Sequence, residues 1–155
     1  MSDLFIIDHP LVQSKLALLR DKNTNNKEFR ELVSEVSGLL AYEATRDMEV
    51  KTENIMPIEY YCKLPEYSDN IEIFVLEPMM ATGGTASAAV QFLKERNFKN
   101  IKYICLICTP DGVQKLQADH PDVDVYAAAM DRTISEDGFI IPGLGDAGDR
   151  MFGTK

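Results

Sequence analysis

The chain has no tryptophan, only three cysteines and two histidines. It also has no apolar run near the ~18 residues that a membrane-spanning helix needs. Three cysteines cannot all pair, so a disulfide framework is not expected and a reducing compartment is. Basic residues are scarce as well: 16 Lys and Arg stand against 25 Asp and Glu, a formal net charge of −9. Nucleic acid and anionic membranes are held by basic faces, so neither is expected as a partner. An anionic small molecule remains possible, because backbone N–H groups or a metal ion can hold one locally. The N-terminus, Met1-Ser-Asp-Leu-Phe-Ile-Ile-Asp-His-Pro10, lacks a basic stretch followed by a long apolar one. No signal peptide is expected from it, and a cytoplasmic protein is.

What is present suits an ordinary folded domain. Of the 155 residues, 45% are apolar and 26% charged. One domain spanning 1–155 is expected, long enough to bury roughly two-thirds of its unfolded surface without staples. Leu11, Val12, Leu16 and Leu19 recur at helical spacing over 10–20. Asn25 followed by Glu28 reads as a capping pair opening a longer helix to about Arg46, with Phe29, Leu32, Val33, Val36 and Leu40 on its apolar stripe. Between 47 and 70 the only element suggested is a short strand at 58–62. From residue 71 strands and helices alternate: strand 71–76, helix 86–96, strand 101–108, helix 112–118 and strand 123–129. That order predicts an α/β fold with a parallel sheet flanked by helices. Ligands of such sheets bind where strand ends lead into helices, here residues 77–85 and 109–112.

Cys105 and Cys108 form a C-x-x-C, but inside the apolar run 101–108. In a regular strand residues three apart face opposite ways, so two core side chains are expected rather than a metal or redox centre. His9 and His120 each precede a proline and read as solvated or capping groups.

Two segments carry candidate chemistry. Glu77-Pro78-Met79-Met80-Ala81-Thr82-Gly83-Gly84-Thr85 follows a strand and opens a helix. Gly83 and Gly84 admit a ligand close to the backbone, Thr82 and Thr85 add hydroxyls, and the helix N-terminus favours a phosphate. Glu77, placed at the strand tip, is a carboxylate suited to ribose hydroxyls; a plain strand-to-helix turn is the alternative. The second segment, Gly143-Leu144-Gly145-Asp146-Ala147-Gly148, spells G-x-G-x-x-G. A dinucleotide site would need a helix and another strand beyond it, and the seven residues that follow leave room for neither. A Gly-rich loop able to fold over a planar ligand, contributing little core, is the functional reading, and a disordered tail is the plain one.

Together these segments resemble the uracil phosphoribosyltransferases. Residues 77–85 resemble that family's ribose-phosphate loop, D-P-M-L-A-T-G-G-S, with Glu for the first Asp. Residues 142–155, P-G-L-G-D-A-G-D-R-M-F-G-T-K, resemble its uracil-binding ending. His9-Pro-Leu-Val12, Leu39 to Asp47 and Glu59 to Pro65 fit as well. The resemblance implies that uracil N1 displaces pyrophosphate from 5-phosphoribosyl 1-pyrophosphate, giving UMP, with Mg²⁺ on the leaving group. Thr82, Gly83, Gly84 and Thr85 would hold the 5′-phosphate and Glu77 the ribose hydroxyls, within a phosphoribosyl pyrophosphate segment spanning 77–85. Ile140, Gly145, Asp146 and Ala147 would read uracil. Asp146 would also face the pyrophosphate, making Asp146 and Glu77 the catalytic candidates.

The resemblance breaks between about Val50 and Pro57, where the family has several tens of further residues. They normally include a strand ending in P-I-L-R-A-G, a helix and a strand ending in Tyr-Arg, which supply the arginines that grip pyrophosphate. Arg20, Arg30 and Arg46 read as partners in surface ion pairs. A sheet short of two strands is expected to expose edges, and a homo-oligomer is one way to cover them. Two readings follow: a pyrimidine-salvage enzyme, or a catalytically weak relative that binds uracil or UMP.

Overall fold

The computed structural model describes residues 2–48 and 71–154. The strand suggested at 58–62, and Cys62 within it, lie outside the described residues. In chain order the elements are β1 (Leu4–Ile6), α1 (Pro10–Arg20), α2 (Asn26–Ala44), β2 (Glu72–Met80) and α3 (Gly84–Lys94). They continue with β3 (Asn100–Cys108), α4 (Pro110–Asp119), β4 (Asp124–Met130), β5 (Thr133–Ile134), β6 (Ile140–Ile141) and α5 (Ala147–Phe152). The main sheet is parallel throughout, in the order β1-β4-β3-β2, and β5 and β6 form a small antiparallel hairpin. Among the described residues no helix is long and apolar enough to cross a membrane.

Local signals account for the helix starts. His9 caps α1, its Nδ1 accepting from the Leu11 N–H at 3.1 Å ahead of Pro10 at the first helical position. Asn25 caps α2 by accepting from the Glu28 N–H at 3.0 Å, the first half of the expected capping pair. Thr109 caps α4 in the same way through the Gly112 N–H.

The sheet separates two apolar layers. On one face α1 and α2 bury Val12, Leu16, Leu19, Phe29, Val36 and Leu40 against Ile104, Leu106 and Tyr126. On the other, α3 and α4 bury Ala86, Val90, Val113 and Leu116 against Ile101, Tyr103 and Val125. β3 lies between β2 and β4 and is buried from Ile101 to Cys108, as a central parallel strand covered on both faces should be.

One expectation fails here and another holds only in part. Strand alternation holds to Leu106, but Leu106 and Ile107 both face the α1–α2 layer, and Cys105 and Cys108 therefore share the opposite one. The same slip occurs beside it, at Ala128 and Ala129 of β4 and at Met79 of β2 after Pro78. Pro78 can donate no ladder hydrogen bond, which loosens the pleat at that level. The two thiols thus interact, and the Cys108 thiol together with burial holds Cys105 protonated well above its usual range. They are core side chains, as expected, but not on opposite faces. His120 is buried rather than solvated, its Nε2 facing the Ser87 carbonyl at 3.0 Å, but it does cap: it ends α4, its N–H donating to the Leu116 carbonyl at 2.8 Å.

Candidate functional site

β2 runs four residues further than its apolar pattern suggests, so Glu77 lies within the strand, opposite Cys105, and not at its tip. Its carboxylate accepts a hydrogen bond from the Tyr103 hydroxyl. Burial, and that carboxylate, keep the Tyr103 hydroxyl protonated far above the ordinary range. One acceptor position of Glu77 is therefore taken from within the fold, and a carboxylate retains others.

The turn after β2 is made by Gly83, whose φ of 76° is left-handed and which starts α3 without any side-chain cap. The first helical hydrogen bond runs from the Ser87 N–H to the Gly83 carbonyl at 2.9 Å. The N–H groups of Gly84, Thr85 and Ala86 consequently have no partner among the described residues. A Cβ at Gly83 would stand 2.5 Å from the Gly112 carbonyl oxygen, whereas one at Gly84 would meet only the Thr82 hydroxyl, at 3.7 Å. Gly83 is required by packing, and Gly84 faces open space. Thr109 Oγ1 donates to the Ala81 carbonyl at 2.6 Å, tying the turn to α4. A cleft of ≈ 90 Å³ opens there, lined by Glu77, Met79, Met80, Ala81, Thr82, Gly83, Thr85 and Ala86. Every residue expected to hold phosphoribosyl pyrophosphate except Pro78, Gly84 and Asp146 lines it. Pro78 lines a second, apolar hollow of ≈ 170 Å³ between α2 and the sheet, shared with Val33, Leu40, Leu76, Leu106 and Met151.

The C-terminal loop forms at the end of β4. Asp131, only 4% exposed, accepts from both Arg20 guanidinium nitrogens, at 2.6 and 2.7 Å, and from the Gly143 N–H at 2.8 Å. Arg20 Nη1 also donates to the Gly143 carbonyl at 2.7 Å. Arg150 donates to the carbonyls of Leu19, Leu144 and Asp21, with its guanidinium 4.2 Å from the Phe29 ring centre. Ile140, Leu144 and Ala147 are buried, and the peptide bond before Pro142 is cis. Asp146 caps α5, accepting from the Asp149 N–H at 2.9 Å, and is otherwise exposed beside Gly145. The loop is therefore folded rather than a disordered tail, and, against expectation, it contributes to the core. A helix does follow the glycines, contrary to expectation, but it is one of six residues with no strand after it among the described residues. The G-x-G-x-x-G match remains misleading.

Arginine placement also departs from the surface-pair reading. Arg46 does pair with Glu43, but Arg30 donates to the Met151 carbonyl and Arg20 enters the buried pair just described. No local pattern flags Arg20 or Asp131, which are 111 residues apart. The two loops themselves share one edge of the sheet, since Met80, Cys108 and Met130 are aligned across β2, β3 and β4. Gly145, Asp146 and Ala147 line neither hollow.

The family profile described as uracil phosphoribosyltransferase matches residues 6–56 and 49–154. Curated proteins named uracil phosphoribosyltransferase match the chain closely. That of Desulfitobacterium hafniense is 43% identical over 209 positions, covering 100% of both chains. Those of Natranaerobius thermophilus and Thermoanaerobacter pseudethanolicus are each 42% identical, over 209 and 207 positions, and cover at least 99% of both chains. An alignment of 209 positions exceeds the 155 residues here by 54, and the two profile matches meet at 49–56. The AQ2163 protein from Aquifex aeolicus has the same fold, with a TM-score of 0.82, 20% identity, and coverage of 98% of this chain and 99% of that one. With the profile spanning nearly all of its length and relatives above 40% identity, this chain belongs to the uracil phosphoribosyltransferase family.

Proposed function

We propose that the chain transfers a phosphoribosyl group from 5-phosphoribosyl 1-pyrophosphate to uracil N1, releasing pyrophosphate and UMP in pyrimidine salvage. The observation that carries this reading for the site is the uncapped start of α3, with Gly84 facing open space above the cleft. There the N–H groups of Gly84 and Thr85 and the hydroxyls of Thr82 and Thr85 would hold the 5′-phosphate at the positive end of the helix dipole. Glu77 would accept from a ribose hydroxyl while its other oxygen stays on Tyr103, keeping negative charge near a ring that becomes positive in the transition state. Ile140 and the backbone of Gly145, Asp146 and Ala147 would read the uracil edge.

Among the described residues no three His, Cys, Asp or Glu side chains gather as a metal cage. Mg²⁺ would come as a companion of the diphosphate, an arrangement that usually needs only one or two protein carboxylates beside the substrate phosphates. Asp146, exposed on the loop, is the carboxylate that would hold it. When bound, the ion would supply charge neutralisation at the leaving group. A homo-oligomer belongs to this reading, supported by β1 and β2 at the edges of the sheet. So does a cytoplasmic location, supported by the free thiols of Cys105 and Cys108.

One observation favours slow turnover. Five of the six arginines are engaged within the fold, and Arg132, beside Asp131, is the one without a side-chain partner among the described residues. The cations that grip pyrophosphate in the family belong to the stretch this chain is short of. Losing one donor to a developing anion typically costs ~10²–10³ in rate. With both substrates and Mg²⁺ saturating, isotopic UMP synthesis should run at least ~100-fold slower than in a full-length relative, while UMP still binds. The absence of both UMP synthesis and UMP binding would overturn the function. Turnover within a few-fold of the relative would instead assign the pyrophosphate to another cation, Arg132 first.

A further inference from the structure

Asp131 and Arg20 lie apart from every residue assigned to substrate, yet they hold the peptide from which the nucleobase-reading residues depart. A carboxylate as buried as Asp131 persists as an anion only if donors surround it, and three do: two from Arg20 and the Gly143 N–H. Arg20 turns the same guanidinium to the Gly143 carbonyl, so both polar groups of residue 143 are captured by one ion pair. Gly143 itself is left-handed, with φ 62°, and a Cβ there would collide with the Ile140 carbonyl. The next carbonyl, that of Leu144, is taken by Arg150 at 2.9 Å. Gly145 follows, exposed, and neither its N–H nor its C=O has a partner among the described residues.

We infer that the Arg20–Asp131 ion pair is a positioning device for nucleobase recognition. It presets the Gly145–Ala147 backbone, so that discrimination between bases depends on a helix that touches no ligand. The assignment rests on the proposed function and adds to it two residues that no local motif marks. Its physical basis is geometric. Hydrogen-bond readout needs donors and acceptors placed within a few tenths of an ångström, and a displacement of ~1 Å can cost ~100-fold. A planar guanidinium that bridges a carboxylate and a carbonyl fixes such a position, which a single ammonium would not.

The test uses Arg20→Lys in the full chain, which keeps the charge and removes the fork, with Asp131→Asn as a second variant that keeps an acceptor for Gly143. Binding of UMP, CMP and ribose 5-phosphate is measured by calorimetry on protein whose circular dichroism matches wild type. Ribose 5-phosphate affinity should be unchanged, UMP should bind at least ~10-fold more weakly, and the UMP-to-CMP ratio should fall. A structural pair alone would lower the melting temperature and leave that ratio intact. An unchanged ratio in either folded variant therefore overturns the assignment while the function stands. Wild-type protein that binds neither UMP nor ribose 5-phosphate would overturn the function, and the assignment with it.

Discussion

The turn after β2 and the loop after β6 both set glycines beside a helix N-terminus, but they are held in different ways. The first uses backbone. Gly83 packs on Gly112 and the Lys115 Cβ, Thr109 takes the Ala81 carbonyl, and no ion pair takes part in those contacts. Its anchors lie 28 residues along the chain, across α3 and β3. The second uses ions. Arg20, Asp131 and Arg150 grip successive peptide groups, and the contacts that join this loop to Leu19 and Arg20 of α1 span 111 to 131 residues. A neutral, glycine-built turn depends on the absence of side chains, so it breaks by addition. An ion-built loop depends on neutralised charge, so it breaks by removal.

Substitutions should separate the two. The largest effect is expected from Arg20→Ala, which leaves the Asp131 carboxylate buried with only the Gly143 N–H. Removing one partner of a buried pair costs ~3–5 kcal/mol, to be read as a lower denaturation midpoint together with amide exchange across 143–152. Loss of under 1 kcal/mol would show that water replaces the guanidinium and that the loop is not ion-built. Gly83→Ala should cost about 2–3 kcal/mol, since it adds backbone strain at a left-handed φ and a methyl against Gly112. If it proved neutral, the close approach of α3 and α4 would be dispensable. The smallest change in stability is expected from Gly84→Val, whose side chain enters open space. That variant should melt within a few degrees of wild type yet lose the amide protection that UMP confers on 82–85. Protection retained in Gly84→Val would remove the phosphate from this turn.

Legibility follows the same division. The order from β2 to β4 could be read because each element carries its own period, and the α2 start could be read because Asn25 and Glu28 are near neighbours. β1 could not, since Leu4–Ile6 is three residues long and becomes a strand only by pairing with Val125–Ala127 of β4. The end of β2 was hidden by Pro78, which normally punctuates a strand but is tolerated at a sheet edge. The shared face of Cys105 and Cys108 needed the slip at Leu106 and Ile107, which no two-residue period contains. The glycines of both loops were legible. Glu77's bond to Tyr103 and the grip of Arg20 were not, because each depends on strands brought together by the fold.

β3 has a consequence of its own as a gauge. It is buried along almost its whole length and paired on both sides, so the separation of β2 from β4 has little freedom to change. Two strand spacings of ~4.8 Å put the turn after Met80 and the anchor at Asp131 roughly 10 Å apart along the sheet edge. On the proposed site, a free base or a free phosphate would reach one end of that interval, and a molecule carrying both would bridge it. Ligand length would then be measured by a strand with no assigned role in contacting the ligand. Calibration errors would enter through Ile104 or Ile107, whose enlargement would misalign two loops whose own residues were untouched.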